Sequence, residues 1–174
     1  PPPNPRYYLL SSKWSELPGS AVIAEPSVVK TLDMATCTLE DSRGVSGAKF
    51  GFKVDGSQGK VCSGFAGWFT SDFKSRTDEE GRDAAPKVDN PVLLDTGPAN
   101  GYTHWGQQVF HLTSPINLLP GEETSIDGSL DMIRTKENVR LYNVKLDYDV
   151  ERKNVSSGIV LNKSKPASFL YQIP

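Results

Sequence analysis

The chain has 174 residues, enough for one domain with a proper hydrophobic core. Its net charge of -2 and pI near 5.7 argue against a general nucleic-acid binder, and no basic strand interleaved with aromatics reverses that. No stretch is apolar for long enough to cross a bilayer, and the Pro-rich start does not read as a signal peptide.

Pro1 to Arg6 is Pro-rich and reads as extended, and Tyr7 to Leu10 suits a short strand. Ser11 to Gly19 is expected to hold one helical turn around Trp14, ended by Pro18-Gly19. Residues 1–27 are read as a lead-in and residues 28–174 as the folded domain.

From Val28 onward the pattern is β. Val28 to Leu39 carries Val29, Thr31, Thr36 and Thr38, which suit a pleated strand. Lys49 to Val54 alternates cleanly, placing Phe50, Phe52 and Val54 on one face. Asp55-Gly56-Ser57-Gln58-Gly59 reads as a turn, and Lys53 to Val61 as a hairpin connection. Val61 to Phe73 is expected as one long strand, in which Gly64 and Gly67 signal a bend or a close backbone approach. Lys74 to Asn90 is polar, of mixed charge and nearly free of apolar residues, which predicts a surface insertion without fixed structure.

Val92 to Leu112 reads as strand, loop, strand, with Phe110 and Leu112 on one face of the second strand. Leu119 to Glu123 is a turn. Ile126, Gly128, Leu130 and Met132 alternate inward, as do Tyr142, Val144, Leu146, Tyr148 and Val150. Gly158 to Leu161 and Phe169 to Ile173 are candidate closing strands. Many strands, polar turns and no convincing long helix predict an all-β barrel or sandwich of antiparallel strands.

Cys37 and Cys62 are far apart and fit no metal spacing, so both are read as buried free thiols in a reducing compartment. No metal site is expected. Asn154-Val155-Ser156 and Asn162-Lys163-Ser164 are formal glycosylation sequons and weak signals without a secretory context.

One loop concentrates the chemistry. It delivers Thr103, His104 and Trp105 in succession at the entry to a strand, and His104 is one of only two histidines. Functional side chains are commonly held on such loops. His111, the other histidine, reads as an ordinary strand residue, and Trp68 and Phe69 as core and sheet residues. Taken alone, a His-Trp pair at a strand entry is most often surface packing with a polar tip.

Thr96-Gly97-Pro98 followed by Thr103-His104-Trp105-Gly106-Gln107 resembles the hallmark loop of the protein arginine methyltransferases. Upstream, Gly67-Trp68-Phe69 and Phe73 resemble that family's Gly-Trp-Phe-Asp-x-x-Phe strand, with Thr70 in place of the usual Asp. The resemblance runs from about Val28 to Val150 and covers the C-terminal, substrate-binding β-barrel half of such an enzyme. Asp95 stands where a serine is common, and the opening segment has no recognisable dimerisation arm.

The resemblance implies methyl transfer from S-adenosylmethionine to a guanidino nitrogen of protein arginine. The Thr-His-Trp sequence is closest to the branch that forms asymmetric dimethylarginine. It implies His104 as the catalytic side chain, contacting a carboxylate of a cofactor-binding domain N-terminal to this chain. It implies Thr103, His104 and Trp105 as substrate-binding, with Thr103 fixing the loop through its hydroxyl. S-adenosylmethionine would be bound by that N-terminal domain, so no cofactor is expected here and the chain alone is expected to be inactive. The catalytic glutamate pair would belong there too, and Glu79-Glu80 is not that pair. Implied partners are that domain, arginine-containing protein substrates and a homo- or hetero-oligomer, with no membrane and no direct nucleic acid, in the cytoplasm or nucleus. Two other readings stay open: a stand-alone β-sandwich binding module with Trp105 and Tyr102 as an aromatic platform, and a noncatalytic regulatory partner of an active methyltransferase.

Overall fold

The structure, a computed structural model, describes residues 11–58, 60–77, 81, 83–84, 87–136, 138 and 140–173. The expected extension of Pro1 to Arg6, the strand at Tyr7 to Leu10 and the Glu79-Glu80 pair lie outside them.

Described strands run Lys13–Ser15 (β1), Gly44–Asp55 (β2), Val61–Gly67 (β3), Thr70–Phe73 (β4), Arg76–Thr77 (β5) and Asp83–Ala84 (β6). Then come Val92–Asp95 (β7), Gln107–Asn117 (β8), Glu122–Arg134 (β9), Tyr142–Asn154 (β10), Val160–Lys163 (β11) and Ala167–Ile173 (β12). Helical geometry among the described residues is confined to three-residue 3-10 turns. The all-β antiparallel class read from the sequence is the class observed.

Contacts divide the chain into two units: Pro1–Lys13 with Ile23–Phe65 and Val109–Pro174, and Trp14–Val22 with Ala66–Gln108. The first is built on a sheet ordered β11-β10-β9-β2, with β12 also paired to β10. Register explains why alternation was a good guide. Val144 lies between Met132 and Tyr171, Leu146 between Leu130 and Phe169, and Tyr148 between Gly128 and Ala167. Each row sends its side chains to one face of the pleat. Val144 is 0% exposed and Ile126 1%. Full burial of such a side chain contributes about 1.5–3 kcal/mol. Cys62 from β3 and Phe110, Leu112 and Ile116 from β8 complete this core. Phe65 meets Phe50, Phe52 and Tyr148 with ring centroids 5.3–6.0 Å apart.

Gly128 has no side chain because the space is already filled. A Cβ there would lie 2.5 Å from the Phe50 ring and 2.2 Å from the Asp147 carbonyl oxygen. The central strand carries a glycine so that the ring of the neighbouring strand can lie across it.

Several expectations are corrected. Trp14 lies on a strand, because β1 pairs with β8, and the nearest helical geometry is the 3-10 turn at Gly19–Ala21. No strand forms over Val28 to Leu39. Asp33 accepts from the backbone of Ala35 and Cys37, and the Asp41 carboxylate accepts from Thr38. Local side-chain bonding of this kind competes with a ladder. Cys37 is consequently only half-buried, whereas Cys62 is buried, and both are free. Burial pushes the Cys62 thiol up from its ordinary value.

The β2–β3 connection is not a hairpin. β2 bonds to β9 and β3 to β8, and Lys60 at the corner accepts from the backbone of Leu118. The expected long strand from Val61 to Phe73 breaks at Trp68 and Phe69 into β3 and β4. Within the polar 74–90 segment, the described residues include β5 and β6, paired through Arg76–Ala84 and Thr77–Asp83. Tyr148 is core, but Tyr142 is only half-buried and receives Arg134 at its hydroxyl.

Tyr171 is 1% exposed and its hydroxyl donates to the His111 carbonyl oxygen at 2.7 Å. Burial, with the neighbouring Tyr148 adding to it, pushes its pKa from 10.0 up to about 12. The unfolded chain therefore gives up this proton first. Its contribution to stability is complete below pH 10 and is lost as pH rises towards about 12. Alkaline denaturation followed by circular dichroism is expected to show this decline, and Tyr171→Phe is expected to flatten it.

Candidate functional site

The loop between β7 and β8 lies in the second unit, where every contact described below is made. Its base is Thr96, which is 0% exposed. Thr96 is bonded to Phe69 three ways: its N–H (3.1 Å) and hydroxyl (2.9 Å) donate to the Phe69 carbonyl, and its hydroxyl oxygen accepts the Phe69 N–H at 3.2 Å. Next to it, Trp68 lies against Gly97, whose N–H is held by the Asp95 carboxylate at 2.7 Å. The Gly-Trp-Phe and Thr-Gly-Pro motifs thus meet in space.

Gln107 is the other support. It is 3% exposed. Its amide nitrogen donates to the Thr96 carbonyl oxygen and its amide oxygen accepts from the Leu17 N–H, both at 2.8 Å. One side chain therefore joins the start of the loop, its end and a segment from near the beginning of the chain.

Thr103 to Gly106 then form a tight turn closed by the Gly106 N–H donating to the Thr103 carbonyl oxygen at 3.2 Å. His104 and Trp105 occupy its apex. Gly106 has φ +53°, a backbone conformation that glycine adopts without steric cost. Behind it stands Trp14. The Trp14 indole N–H donates to the Trp105 carbonyl oxygen at 2.7 Å. A Cβ on Gly106 would fall 2.6 Å from the same indole.

The three side chains singled out in the sequence are brought together, with different environments. His104 is exposed, and its ring meets the Trp105 ring edge-on at 6.2 Å. Trp105 is 52% exposed and rests on Phe69 in a T-shaped contact at 5.7 Å. Tyr102 is exposed on the same loop. Thr103 corrects an expectation: its hydroxyl is buried with no hydrogen-bond partner among the described residues, and the turn is closed by its carbonyl instead.

Phe69, read from the sequence as a core and sheet residue, instead lies exposed between β3 and β4, and sequence reading assigns Gln107 and Trp14 no part in holding the loop. Phe69 is 43% exposed and belongs to the aromatic surface around Trp105. Gln107 carried a signal, as the last residue of the Thr-His-Trp-x-Gln motif. Trp14 carried none, because it lies 91 residues from its partner. Among the described residues, no group of three or more His, Cys, Asp or Glu is placed to hold a metal ion.

Replacing Gln107 with leucine fills the space but strands the Leu17 N–H and the Thr96 carbonyl. Each stranded group is expected to cost about 1–3 kcal/mol. Equilibrium denaturation of Gln107→Leu checks this, with the second unit losing stability.

Comparison with known proteins identifies the family. Residues 7–153 match the family described as the arginine methyltransferase oligomerization subdomain. Protein arginine N-methyltransferase PRMT10 of Oryza sativa subsp. japonica is 32% identical over 150 residues, a span of 86% of this chain and 37% of that protein. Protein arginine N-methyltransferase 6 of Danio rerio is 28% identical over 159 residues, 88% of this chain and 36% of its own length. The chain thus spans little more than a third of these relatives. Among solved structures, Arabidopsis thaliana protein arginine methyltransferase 10 superposes with a TM-score of 0.72 at 27% identity, over 97% of this chain and 44% of that one. A Trypanosoma brucei PRMT1 enzyme-prozyme heterotetramer with AdoHcy shares the fold, with a TM-score of 0.65 at 15% identity over 97% of this chain and 45% of that one. The chain belongs to the protein arginine methyltransferases and corresponds to their C-terminal β-barrel domain.

Proposed function

We propose that this chain supplies one wall of the arginine slot in a protein arginine N-methyltransferase. The observation that carries the reading is the turn at Thr103 to Gly106, which presents exposed His104 and Trp105 on a buried, fully bonded base. Such a base fixes where the two rings point.

The substrate's chemistry calls for such a wall. A guanidinium group is protonated at neutral pH, with a pKa above about 12. One of its nitrogens must be aimed at the methyl donor while carboxylates redistribute the positive charge. The flat cation is attracted to an aromatic face, which Trp105 offers. One ring nitrogen of His104 can donate to a carboxylate of the cofactor-binding part while the other stays available to orient substrate. S-adenosylmethionine supplies the methyl group when bound. Its binding, and the charge-carrying glutamates, are assigned to the part of the relatives that lies beyond this chain. The product is read as asymmetric dimethylarginine from the Thr-His-Trp sequence. The family description and the heterotetrameric relative support an oligomer. Cytoplasm or nucleus is the compartment this reading favours.

In the full-length enzyme, His104→Ala is expected to lower kcat/KM for an arginine-rich peptide by about 10- to 100-fold while the barrel stays folded. Methylation assays with circular dichroism check both halves. Unchanged turnover would remove His104 from the site. A regulatory, noncatalytic protein is the reading that follows if the unaltered full-length chain transfers no methyl group at all.

Isothermal titration of the isolated chain with S-adenosylmethionine is expected to give no saturable heat. Micromolar binding would overturn the assignment of the cofactor to the part of the relatives that lies beyond this chain.

A further inference from the structure

Trp14 is unusual for a residue so far from the loop in sequence. Its indole is 55% exposed and yet makes two directed contacts with consecutive peptide units. The N–H is bonded to the carbonyl oxygen of Trp105 at 2.7 Å. The ring edge lies against Gly106 so closely that a Cβ there would sit 2.6–2.7 Å from Nε1 and Cε2. Ser15, the next residue on β1, adds to the same crowding: its carbonyl oxygen is 2.8 Å from that position.

These contacts bear on one geometric variable. The Trp105 peptide plane and the left-handed Gly106 set the direction of the turn whose apex is His104-Trp105. Thr103 does not hold it by side chain, since its hydroxyl is unbonded. The turn's own closing bond, Gly106 N–H to Thr103 carbonyl oxygen, is 3.2 Å long and lies within a four-residue segment. An external clamp supplies what the turn lacks. β1 is a strand of the sheet that includes β8, so the clamp is anchored by backbone pairing. Gln107 reinforces it from the same segment by accepting the Leu17 N–H.

We infer that Trp14 is a positioning residue for arginine methylation: it fixes the 103–106 turn, and through it the aim of His104 and Trp105. The inference rests on the reading of that turn as a wall of the arginine slot. It assigns a role to the segment Lys13–Leu17, whose residues come nowhere near the Thr-His-Trp motif in sequence.

The test uses the full-length protein and two substitutions. Trp14→Phe keeps a ring against Gly106 but removes the N–H donor, and Trp14→Ala removes both. Hydrogen exchange by mass spectrometry reads the segment Thr103 to Gln107, with a β10 segment as the control for global unfolding. Exchange in the loop is expected to speed up about tenfold in Trp14→Ala, to a smaller degree in Trp14→Phe, and not at all in β10. Turnover of an arginine peptide is expected to fall about tenfold in Trp14→Ala and to be partly retained in Trp14→Phe, with the KM for S-adenosylmethionine unchanged. If Trp14→Ala also loosens β10, Trp14→Phe alone decides the question by the same readouts.

Unchanged loop exchange would overturn the inference. So would a loosened loop with full turnover while His104→Ala is impaired, because the turn would then act without the clamp. If neither Trp14→Ala nor His104→Ala alters turnover, the fault lies in the reading of the turn as a substrate wall, and the inference falls with it.

Discussion

Gln107 holds the loop between β7 and β8 by both ends of one amide. Its nitrogen reaches the Thr96 carbonyl in a buried bond and its oxygen receives the Leu17 N–H in a part-buried one, each at 2.8 Å. A loop that leaves one strand and enters another has many backbone groups without a ladder partner. Buried groups of that kind must be paired, or the loop will not keep one shape. Gln107 can serve two of them at once because an amide is both donor and acceptor. The remaining pairing at the base comes from Thr96 and Phe69. With the base fixed, the apex carries His104 and Trp105 with their rings exposed.

The arrangement separates stability from function along the chain. In the first unit, β9, β10 and β12 pair residue by residue and bury alternate side chains. The Cys62 thiol of β3 packs into the same core, and burial pushes it up from its ordinary value. In the second unit the sheet pairs are short, and the ordering is done by side chains: Thr96, Gln107, Trp68 and Trp14. Short strands and side-chain props suit a surface that must present particular groups in particular directions.

Sequence identity to the rice and zebrafish relatives is only 28–32%, yet the fold superposes well on the Arabidopsis enzyme. A barrel tolerates many apolar substitutions if the pattern is kept. The motifs around Trp68, Thr96 and His104 are less free. They are bonded or packed to one another, so changing one leaves a partner without its contact.

Much of the sheet was legible in the sequence, because alternation over β9 and β10 reports directly which side chains share a face. The turn residues were legible too: Thr103, His104 and Trp105 are consecutive in the sequence. Where reading failed, a remote partner decided two cases and local side-chain bonding the third. Trp14 became a strand because β8 lies beside it, the β2–β3 hairpin dissolved because each strand bonds to a different sheet, and Val28 to Leu39 stayed out of a ladder while Asp33 and Asp41 bonded locally. The sequence by itself determined the all-β class, the inward rows and the identity of the loop's apex, since these depend on neighbours within a few residues. Only tertiary structure decided how that apex is held. The Trp14–Trp105 and Leu17–Gln107 bonds join residues some ninety positions apart, and no local pattern encodes a pairing over that distance.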